Sequence, residues 1–525
     1  MEAEKQSGSY YTPHELVAYM MSYMDKAETD LSMILEPSAG DGRFIGKLEK
    51  LAGHIDALEL FREKVNVLQQ CGYASHVAIS EGNFLDYALE NLCQYSLIIG
   101  NPPYISPRIM KKDDIAKAKQ LCELEGIKPG TMQNMWLAFV VGACRLLRAD
   151  GTIFFVLPME FLQVQYAEAL REYLEKRFNH IHIIAFEESV FPDIEQEICL
   201  VYLTNQEQYT PYISYEVYHS VCDRVPIQYN KIEKNKPLKK WSNAILADAD
   251  MLLLKEKAKE YKTISQMGIT APGIVTGGNE YFILKPSWAE TMQCEAYTIP
   301  IIQKSSLLKE NTIVIHDHTV QSLHRQDVPL YLLNLANVSE TLPPKLAKYL
   351  EAMGETERDG IKLKERYKCS KRTPWYGVPL VHKGDVIFFK RYDKLPKVYI
   401  NEAEIDTTDA GYHIRLMPGY DKASVVFCFY NSLTLTQCEF LGRYYGGGVC
   451  ELVPSEFKAL AIPYHRIEKH EIQYLDELFR KQATIDEIVR FVNSKTLALD
   501  CSPSEIRHLD DMRMHLIARR LKNKL

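Results

Sequence analysis

The stretch from Ile98 to Pro107, IIGNPPYISP, ends an apolar, strand-forming run with an asparagine, two prolines and a tyrosine. Proline lacks a backbone N–H group and fixes φ, so Pro102 and Pro103 stop strand pairing and hold the next residues in one rigid extended path. Such a path could simply form a turn. It could also hold an asparagine amide, backbone carbonyls and an aromatic face around one planar ligand.

The segments on both sides of this stretch alternate between strand and helix patterns. Thr12 is the expected N-cap of a first helix, with Pro13 at its first position and Glu15 closing a capping box. Strands are expected at six apolar runs, of which the sixth could be the last: 33–35, 55–59, 96–100, 151–158, 180–186 and 196–204. This alternation predicts a doubly wound α/β sheet that binds ligands at the carboxyl ends of its strands.

Two strand ends carry residues suited to a nucleoside ligand. In the run 36–42, EPSAGDG, the glycines let a ligand approach the backbone, while an acid could bind a cationic amine. The run departs from the dinucleotide fingerprint Gly-x-Gly-x-x-Gly, because Gly46 lies one position late. Glu59 could hold both hydroxyls of a ribose, although a charge at the start of the next helix is the simpler interpretation.

The composition of the chain limits its class. Its 525 residues predict two or three domains, and 46% hydrophobic with 25% charged residues is ordinary for a globular protein. No apolar run is long enough to cross a bilayer, so a cytoplasmic protein without membrane contact is expected. The 12 cysteines include no Cys-x-x-Cys pair, which argues against a zinc site, and no metal is expected.

Taken in order, these segments resemble the class I methyltransferases that use S-adenosylmethionine, and more narrowly the gamma-class N6-adenine DNA methyltransferases of restriction-modification systems (Taq-like and Eco57-like). The motifs that carry the resemblance are YYTP (10–13), EPSAGDG (36–42), LEL (58–60), GNFL (82–85), NPPY (101–104), NMWLAFV (134–140), LLRADGTIFFVLP (146–158) and SVFPDIEQEICLVYL (189–203). The resemblance implies a Rossmann-like domain with a mixed, mainly parallel sheet.

The resemblance also assigns site residues. It implies that Asn101, Pro102, Pro103 and Tyr104 are catalytic, and that Tyr104 and Phe191 stack on a target adenine. The residues that it implies for cofactor binding are Thr12, Glu36, Pro37, Ser38, Gly40, Gly42, Glu59, Asn83, Phe84 and Pro103. At the position of Asn83 the family often has an aspartate that contacts the adenine of the cofactor, and the asparagine oxygen could still accept that bond.

The residue types fit the chemistry of an exocyclic amine, which is a poor nucleophile while its lone pair is delocalised into the ring. Asn101 Oδ1 and the Pro102 carbonyl can each accept one N–H, which would aim the lone pair at a sulfonium methyl. A base inside a duplex must first be flipped out to reach such a site.

The second half of the chain changes to short β-rich segments after a polar stretch at 231–243. We expect a methyltransferase domain over 1–235, an α+β target-recognition domain over 244–464 and a helical segment over 465–525. Residues 361–397 contain eleven Lys or Arg against three acids, although the whole chain has a net charge of −7. A solvated face is the alternative to DNA binding by this stretch. The expected DNA-binding residues are Arg372, Trp375, Tyr376, Lys390 and Arg391.

We predict that the partner is double-stranded DNA and that the protein is a monomer. A separately encoded restriction endonuclease is left open as a further partner. Two other functions also stay open: methylation of another planar nitrogen, in ribosomal RNA or in the glutamine of a release factor, and DNA binding without catalysis. The large C-terminal half disfavours the first, and the intact glycine-rich loop with NPPY disfavours the second.

Overall fold

The computed structural model describes residues 11–105, 109–128, 130, 132–188, 190–191, 197–234, 241, 246, 248–338, 341–358, 360–445 and 448–521. The motif residue Tyr10 lies outside these residues, and so does most of the predicted polar boundary at 231–243. The chain divides into two compact units. The first contains the described residues up to Asp248 with Tyr445 and Leu521, and the second contains Ala249–Tyr444 and Gly448–Arg520.

The first unit alternates strands and helices as the sequence predicts. Its helices are α1 (His14–Lys26), α2 (Ile45–Leu48), α3 (Arg62–Gln70), α4 (Phe84–Glu90), α5 (Lys112–Leu124), α6 (Met135–Leu146) and α7 (Glu168–Arg177). Its strands are β1 (Ile34–Glu36), β2 (Ile55–Glu59), β3 (Val77–Glu81), β4 (Tyr95–Gly100), β5 (Leu147–Pro158), β6 (His180–Phe186), β7 (Ile198–Thr204), β8 (Tyr212–Tyr218) and β9 (Gln228–Glu233).

These strands form one sheet in the order β3-β2-β1-β4-β5-β7-β6-β8-β9. The first five are mutually parallel, whereas β7 runs antiparallel to both β5 and β6. The doubly wound α/β prediction is therefore confirmed. The expectation that β7 is the last strand was wrong, because β8 and β9 extend the sheet. In the outermost strand β9 only Ile232 is buried, so its sequence lacks the apolar run that marks a strand.

The start of the first helix also differs from the prediction. The N-cap is Pro13, the helix begins at His14, and no side chain caps it. The carbonyl oxygen of Thr12 instead accepts a hydrogen bond from Arg43. The φ of −55° at Pro13 is compatible with the proline ring, and the Pro13 carbonyl accepts a hydrogen bond from Val17 N at 3.1 Å.

The core of the first unit lies on both faces of the sheet. On one face, α6 is buried at every position except Arg145 and packs against Phe84 and Ala88 of α4. On the other face, Leu16, Val17 and Met20 of α1 join a cluster with β-strand residues. Trp241, which is 1% exposed, belongs to the first of these clusters and donates to Glu175 Oε1 at 2.7 Å.

The second unit contains several short sheets. Its helices are α8 (Asp248–Glu260), α9 (Ile264–Met267), α10 (Asn279–Phe282), α11 (Pro286–Met292), α12 (Asp317–Arg325), α13 (Pro344–Glu355), α14 (Tyr367–Ser370), α15 (Lys422–Phe429), α16 (Ser432–Leu441), α17 (Pro454–Lys458), α18 (Lys469–Arg480), α19 (Ile485–Lys495) and α20 (Pro503–Leu521). Its strands are β10 (Lys262–Thr263), β11 (Gly268–Pro272), β12 (Ile283–Leu284), β13 (Thr298–Ile302), β14 (Val314–Ile315), β15 (Tyr331–Leu333), β16 (Glu357–Arg358), β17 (Ile361–Lys362), β18 (Val386–Phe389), β19 (Arg391–Tyr392), β20 (Lys397–Asn401), β21 (Asp406–Thr407), β22 (Gly411–Leu416), β23 (Arg443–Tyr445), β24 (Val449–Glu451) and β25 (Ala461–Ile462).

The central sheet of this unit has the order β11-β22-β18-β20-β14. Val386 and Phe388 of β18 share a buried cluster with Leu475 of α18 and Ile488 of α19. The helices α18 and α19 therefore pack into the core of the second unit.

Candidate active site

A cavity of about 240 Å³ opens at the carboxyl ends of β1, β2, β3 and β4. Its lining residues are Tyr11, Pro37, Ser38, Gly40, Glu59, Leu60, Phe61, Lys64, Gly82, Asn83, Phe84, Asn101, Pro102, Pro103, Tyr104, Ile105, Ile109, Met110, Lys111, Asp114, Met135 and Phe139. Most of the residues predicted for the cofactor and for catalysis thus meet at one opening. Parallel strands produce this arrangement because their carboxyl ends lie at the same edge of the sheet.

Glu59 is held in place by two backbone amides. Gly40 N donates to Glu59 Oε2 at 2.9 Å, and Phe61 N donates to Glu59 Oε1 at 3.0 Å. Each carboxylate oxygen has a further lone pair. The buried Glu59 carboxylate is therefore oriented and can still accept two hydroxyl groups.

The glycine-rich loop after β1 needs its glycines for two different reasons. Gly40, with φ +59°, presents its amide to Glu59, and Gly42 has φ +78°. A Cβ atom on Gly42 would lie 2.6 Å from Tyr73 Oη and 2.7 Å from Leu68 Cδ2. Gly42 does not line the cavity, so its role is to shape the loop that does.

Glu36 is 2% exposed and is absent from the cavity lining. Burial raises the pKa of Glu36 well above its usual range, and the carboxylates of Asp41 and Glu59 raise it further, against a backbone hydrogen bond from Ile45 that lowers it. Among the described residues, its Oε2 has no hydrogen-bond partner. A raised pKa favours the protonated form of Glu36, and the predicted contact with a cationic amine stays a prediction.

Asn83 begins α4 and uses both ends of its amide. Its Oδ1 accepts from Leu85 N at 2.9 Å, which caps the helix, and its Nδ2 donates to Asp114 Oδ1 at 2.8 Å. Asp114 belongs to the first turn of α5 and lines the same cavity. No sequence pattern had indicated this residue.

The NPPY segment continues β4 along the wall of the cavity. Ser38 Oγ donates to the Asn101 carbonyl oxygen at 3.3 Å, which ties the segment to the glycine-rich loop. The Tyr104 hydroxyl donates to the carbonyl oxygen of Val156 at 3.1 Å, and burial raises its pKa well above the usual range. The tyrosine ring is therefore fixed at its far end, while the residue lines the cavity.

Two other predicted residues lie away from the cavity lining. Thr12 is buried, and only its carbonyl oxygen has a described hydrogen bond, from Arg43. Phe191 is 6% exposed and packs in the cluster that contains Phe186 and Ile198, against which Tyr104 also packs. The predicted contacts of Thr12 with a cofactor and of Phe191 with a base stay predictions.

Aromatic and basic residues that the sequence did not single out complete the mouth of the cavity. Phe61 is exposed, and the Lys64 ammonium lies 5.4 Å from the centre of its ring and 5.3 Å from that of Tyr11. Phe139 stacks on Phe84 at 4.5 Å between ring centroids. Tyr11 and Phe139 lie inside the motifs YYTP and NMWLAFV, and Phe61 and Lys64 follow the motif LEL, but none of the four had been assigned a role.

The five residues predicted to bind DNA all have contacts within the second unit. Arg372 donates to the carbonyl oxygens of Val275 and Thr276, each at 2.7 Å. Trp375 and Tyr376 pack beside a buried cluster. Lys390 Nζ lies 3.8 Å from Glu451 Oε1. Arg391 Nε donates to Oε2 of the same carboxylate at 2.9 Å. Their contact with DNA stays a prediction.

The described residues form neither a metal-binding cluster nor a membrane-spanning helix. Within those ranges, no group of three or more His, Cys, Asp or Glu side chains is arranged to hold a metal ion. None of the described helices is both apolar enough and long enough to span a membrane.

Comparison with known proteins relates the chain to restriction-modification enzymes. A family model described as "Eco57I restriction-modification methylase" matches residues 49–191, and one described as "Type II methyltransferase M.Eco57I, C-terminal domain" matches residues 238–497. The Type II methyltransferase M.AccI of Acinetobacter calcoaceticus is 24% identical, and the alignment covers 92% of this chain and 90% of that protein. M.HincII of Haemophilus influenzae is 27% identical over 37% of this chain and 36% of its own length.

Two solved structures share the fold. The Type IIL restriction-modification enzyme MmeI, in complex with DNA, aligns with 98% of this chain and 75% of its own at a TM-score of 0.57 and 11% identity. A nuclease-deletion mutant of the Type ISP enzyme LlaGI, in complex with a DNA substrate mimic, aligns with 90% of this chain and 55% of its own at a TM-score of 0.52 and 12% identity.

Proposed function

The chain belongs to the Eco57I family of restriction-modification methylases, and from that premise we propose that it moves a methyl group from S-adenosylmethionine to the N6 amine of an adenine flipped out of duplex DNA. The observation that carries the proposal is the single cavity that joins Glu59 to the segment Asn101–Tyr104. A ligand whose ribose lies on Glu59 can extend directly to the NPPY segment.

The residues of the cavity fit an adenosyl cofactor. The oriented Glu59 carboxylate can accept both ribose hydroxyls, and the faces of Phe61, Phe84 and Phe139 offer apolar surface for a planar base. When bound, S-adenosylmethionine supplies a methyl group on a positively charged sulfur. The loop at 37–40 would hold the cofactor against the sheet, as its place in the lining suggests.

The target amine would be activated at Asn101. Its Oδ1 and the Pro102 carbonyl would each accept one N–H, so that the nitrogen lone pair points at the methyl group. No covalent bond to the enzyme is needed. Tyr104, whose hydroxyl is anchored on Val156, would stack on the flipped base, and Phe191 would support the same base.

Sequence recognition would come from the target-recognition region, 244–464. One adenine cannot define a site of several base pairs, and the first unit holds the pocket for that adenine. Arg391 has a side chain that is 62% exposed and is a candidate for phosphate contact. The predicted monomeric state and a separate restriction endonuclease remain parts of this proposal.

The proposal is tested by methylation-sensitive long-read sequencing of a methylation-free host that expresses the chain. We expect N6-methyladenine at one short sequence motif, and none with Asn101→Ala. Methylation of ribosomal RNA or of a release factor without DNA methylation would favour the other substrate class, and sequence-specific DNA binding without methylation would favour a binding protein.

Purified Asn101→Ala should lose about 10²–10³-fold or more in kcat and retain most of its affinity for the cofactor and DNA, since Asn101 acts mainly as the transition state forms. Single-turnover methylation and cofactor titration separate the two effects. A variant with normal kcat would contradict the role of Asn101.

A further inference from the structure

The hydrogen bonds of Asn83 determine how its amide is oriented. Its Oδ1 faces the N–H of Leu85 and its Nδ2 faces the carboxylate of Asp114, so exchanging the two amide atoms would oppose donor to donor and leave the carboxylate without its bond. The oxygen that could serve a ligand thus already caps α4 and keeps only its second lone pair. A carboxylate is also a stronger acceptor than an amide oxygen.

Asp114 offers a carboxylate oxygen, which is a stronger acceptor than the Asn83 oxygen that already caps α4. Its Oδ1 takes the bond from Asn83, and within the described ranges no group donates to its Oδ2. The residue is half-buried and lines the cavity together with Ile109, Met110 and Phe139. Apolar surface beside one carboxylate oxygen is suited to a heteroaromatic ring that carries one exocyclic amine.

The strand order shows which part of a ligand would lie there. Across the sheet, Asn83 follows β3, Glu59 ends β2, the glycine-rich loop follows β1 and Asn101 follows β4. A nucleoside whose ribose binds Glu59 and whose 5′ side extends toward Asn101 must direct its base the other way, toward Asn83 and Asp114.

We propose that Asp114, supplied by α5, accepts the exocyclic amine of the adenine of the cofactor and so selects adenine over a 6-oxo base, and that Asn83 is a positioning residue that holds Asp114. This inference rests on the proposed function of the same site. The contact that selects adenine is thus made from α5, a helix outside the sequence motifs, and not from the residue that follows β3.

Calorimetric titration with S-adenosylhomocysteine and with S-inosylhomocysteine tests the proposal. The wild-type chain should prefer the adenosyl ligand by about 10- to 100-fold, the worth of one hydrogen bond to a charged group. Asp114→Ala should reduce this preference to about twofold or less, mainly by weakening the adenosyl ligand. Asp113→Ala, in the same helical turn and paired with Lys117 at 2.6 Å, is the matched control and should keep the full preference.

Exchanging the carboxylate and the amide between positions 83 and 114 tests why Asp114→Ala loses its preference. The loss could come from the missing acceptor or from general damage to the site. Asn83→Asp alone would place two carboxylates against each other and should weaken the adenosyl ligand. Asn83→Asp combined with Asp114→Asn should restore part of the affinity and of the preference, because an amide oxygen then accepts the amine in place of the carboxylate. Asp114→Ala that binds with its preference intact would overturn the inference and leave the proposed function standing. A wild-type chain that binds neither ligand would overturn the proposed function itself.

Discussion

Glu59 is the side chain on which the cofactor proposal most depends, and its two hydrogen bonds from Gly40 and Phe61 define the expected effect of a mutation. In Glu59→Gln the amide NH₂ must face one of these backbone N–H groups, so the variant loses both the charge and its fixed orientation. We expect the affinity for S-adenosylhomocysteine to fall by about 1.5–3 kcal/mol, measured by calorimetry. Glu63→Gln, in the exposed first turn of the next helix, is the control and should bind normally. Equal affinity in the two variants would remove Glu59 from the site.

The loop between β1 and α2 depends on the left-handed backbone at Gly42. Alanine there would be strained at φ +78°, and its Cβ would clash with the side chains of Tyr73 and Leu68. We expect Gly42→Ala to lower the free energy of unfolding by about 1–3 kcal/mol, measured by chemical denaturation. Gly46→Ala is the control: its Cβ would meet nothing within 4 Å, and in α2 alanine should be neutral or stabilising by about 0.5–1 kcal/mol. Similar losses in both variants would show that the loop geometry is not the cause.

The division of the chain into two units predicts how DNA specificity can be exchanged between relatives. Replacing residues 249–520 by the matching part of a methylase with another recognition sequence should transfer that sequence and keep the base chemistry, read by sequencing of methylated DNA. Replacing only 244–464 should give a less stable chimera, because Leu475 and Ile488 would then face foreign partners in the cluster of Val386 and Phe388. An active chimera that keeps its original site would place recognition in the first unit. If basic residues such as Arg391 contact phosphates, binding should also weaken steeply with salt.

Local sequence patterns were enough to predict the α/β class and the strands β1, β2, β4, β5, β6 and β7, whereas β3 (Val77–Glu81) was not predicted. These patterns are apolar runs, a glycine-rich turn and a proline pair. They act on the backbone within a few residues, so they can be recognised without knowing which distant residues they contact. The same patterns located Glu59 and Asn101 at strand ends, and parallel topology then required them to share one edge of the sheet. The polar strand β9 carried no such signal, and the sequence could not distinguish an N-cap at Thr12 from one at Pro13.

The sequence by itself determined the class of the fold, the family resemblance and the residues that follow the strands. Only the tertiary structure decided that the Glu36 side chain lies outside the cavity lining, that Arg372 holds two carbonyl oxygens, and that Asp114 enters the pocket beside Asn83, 31 positions away along the chain. The physical reason is that the direction of a side chain and its hydrogen-bond partners depend on contacts between segments that are distant along the chain. No local pattern of charge or hydrophobicity records those contacts.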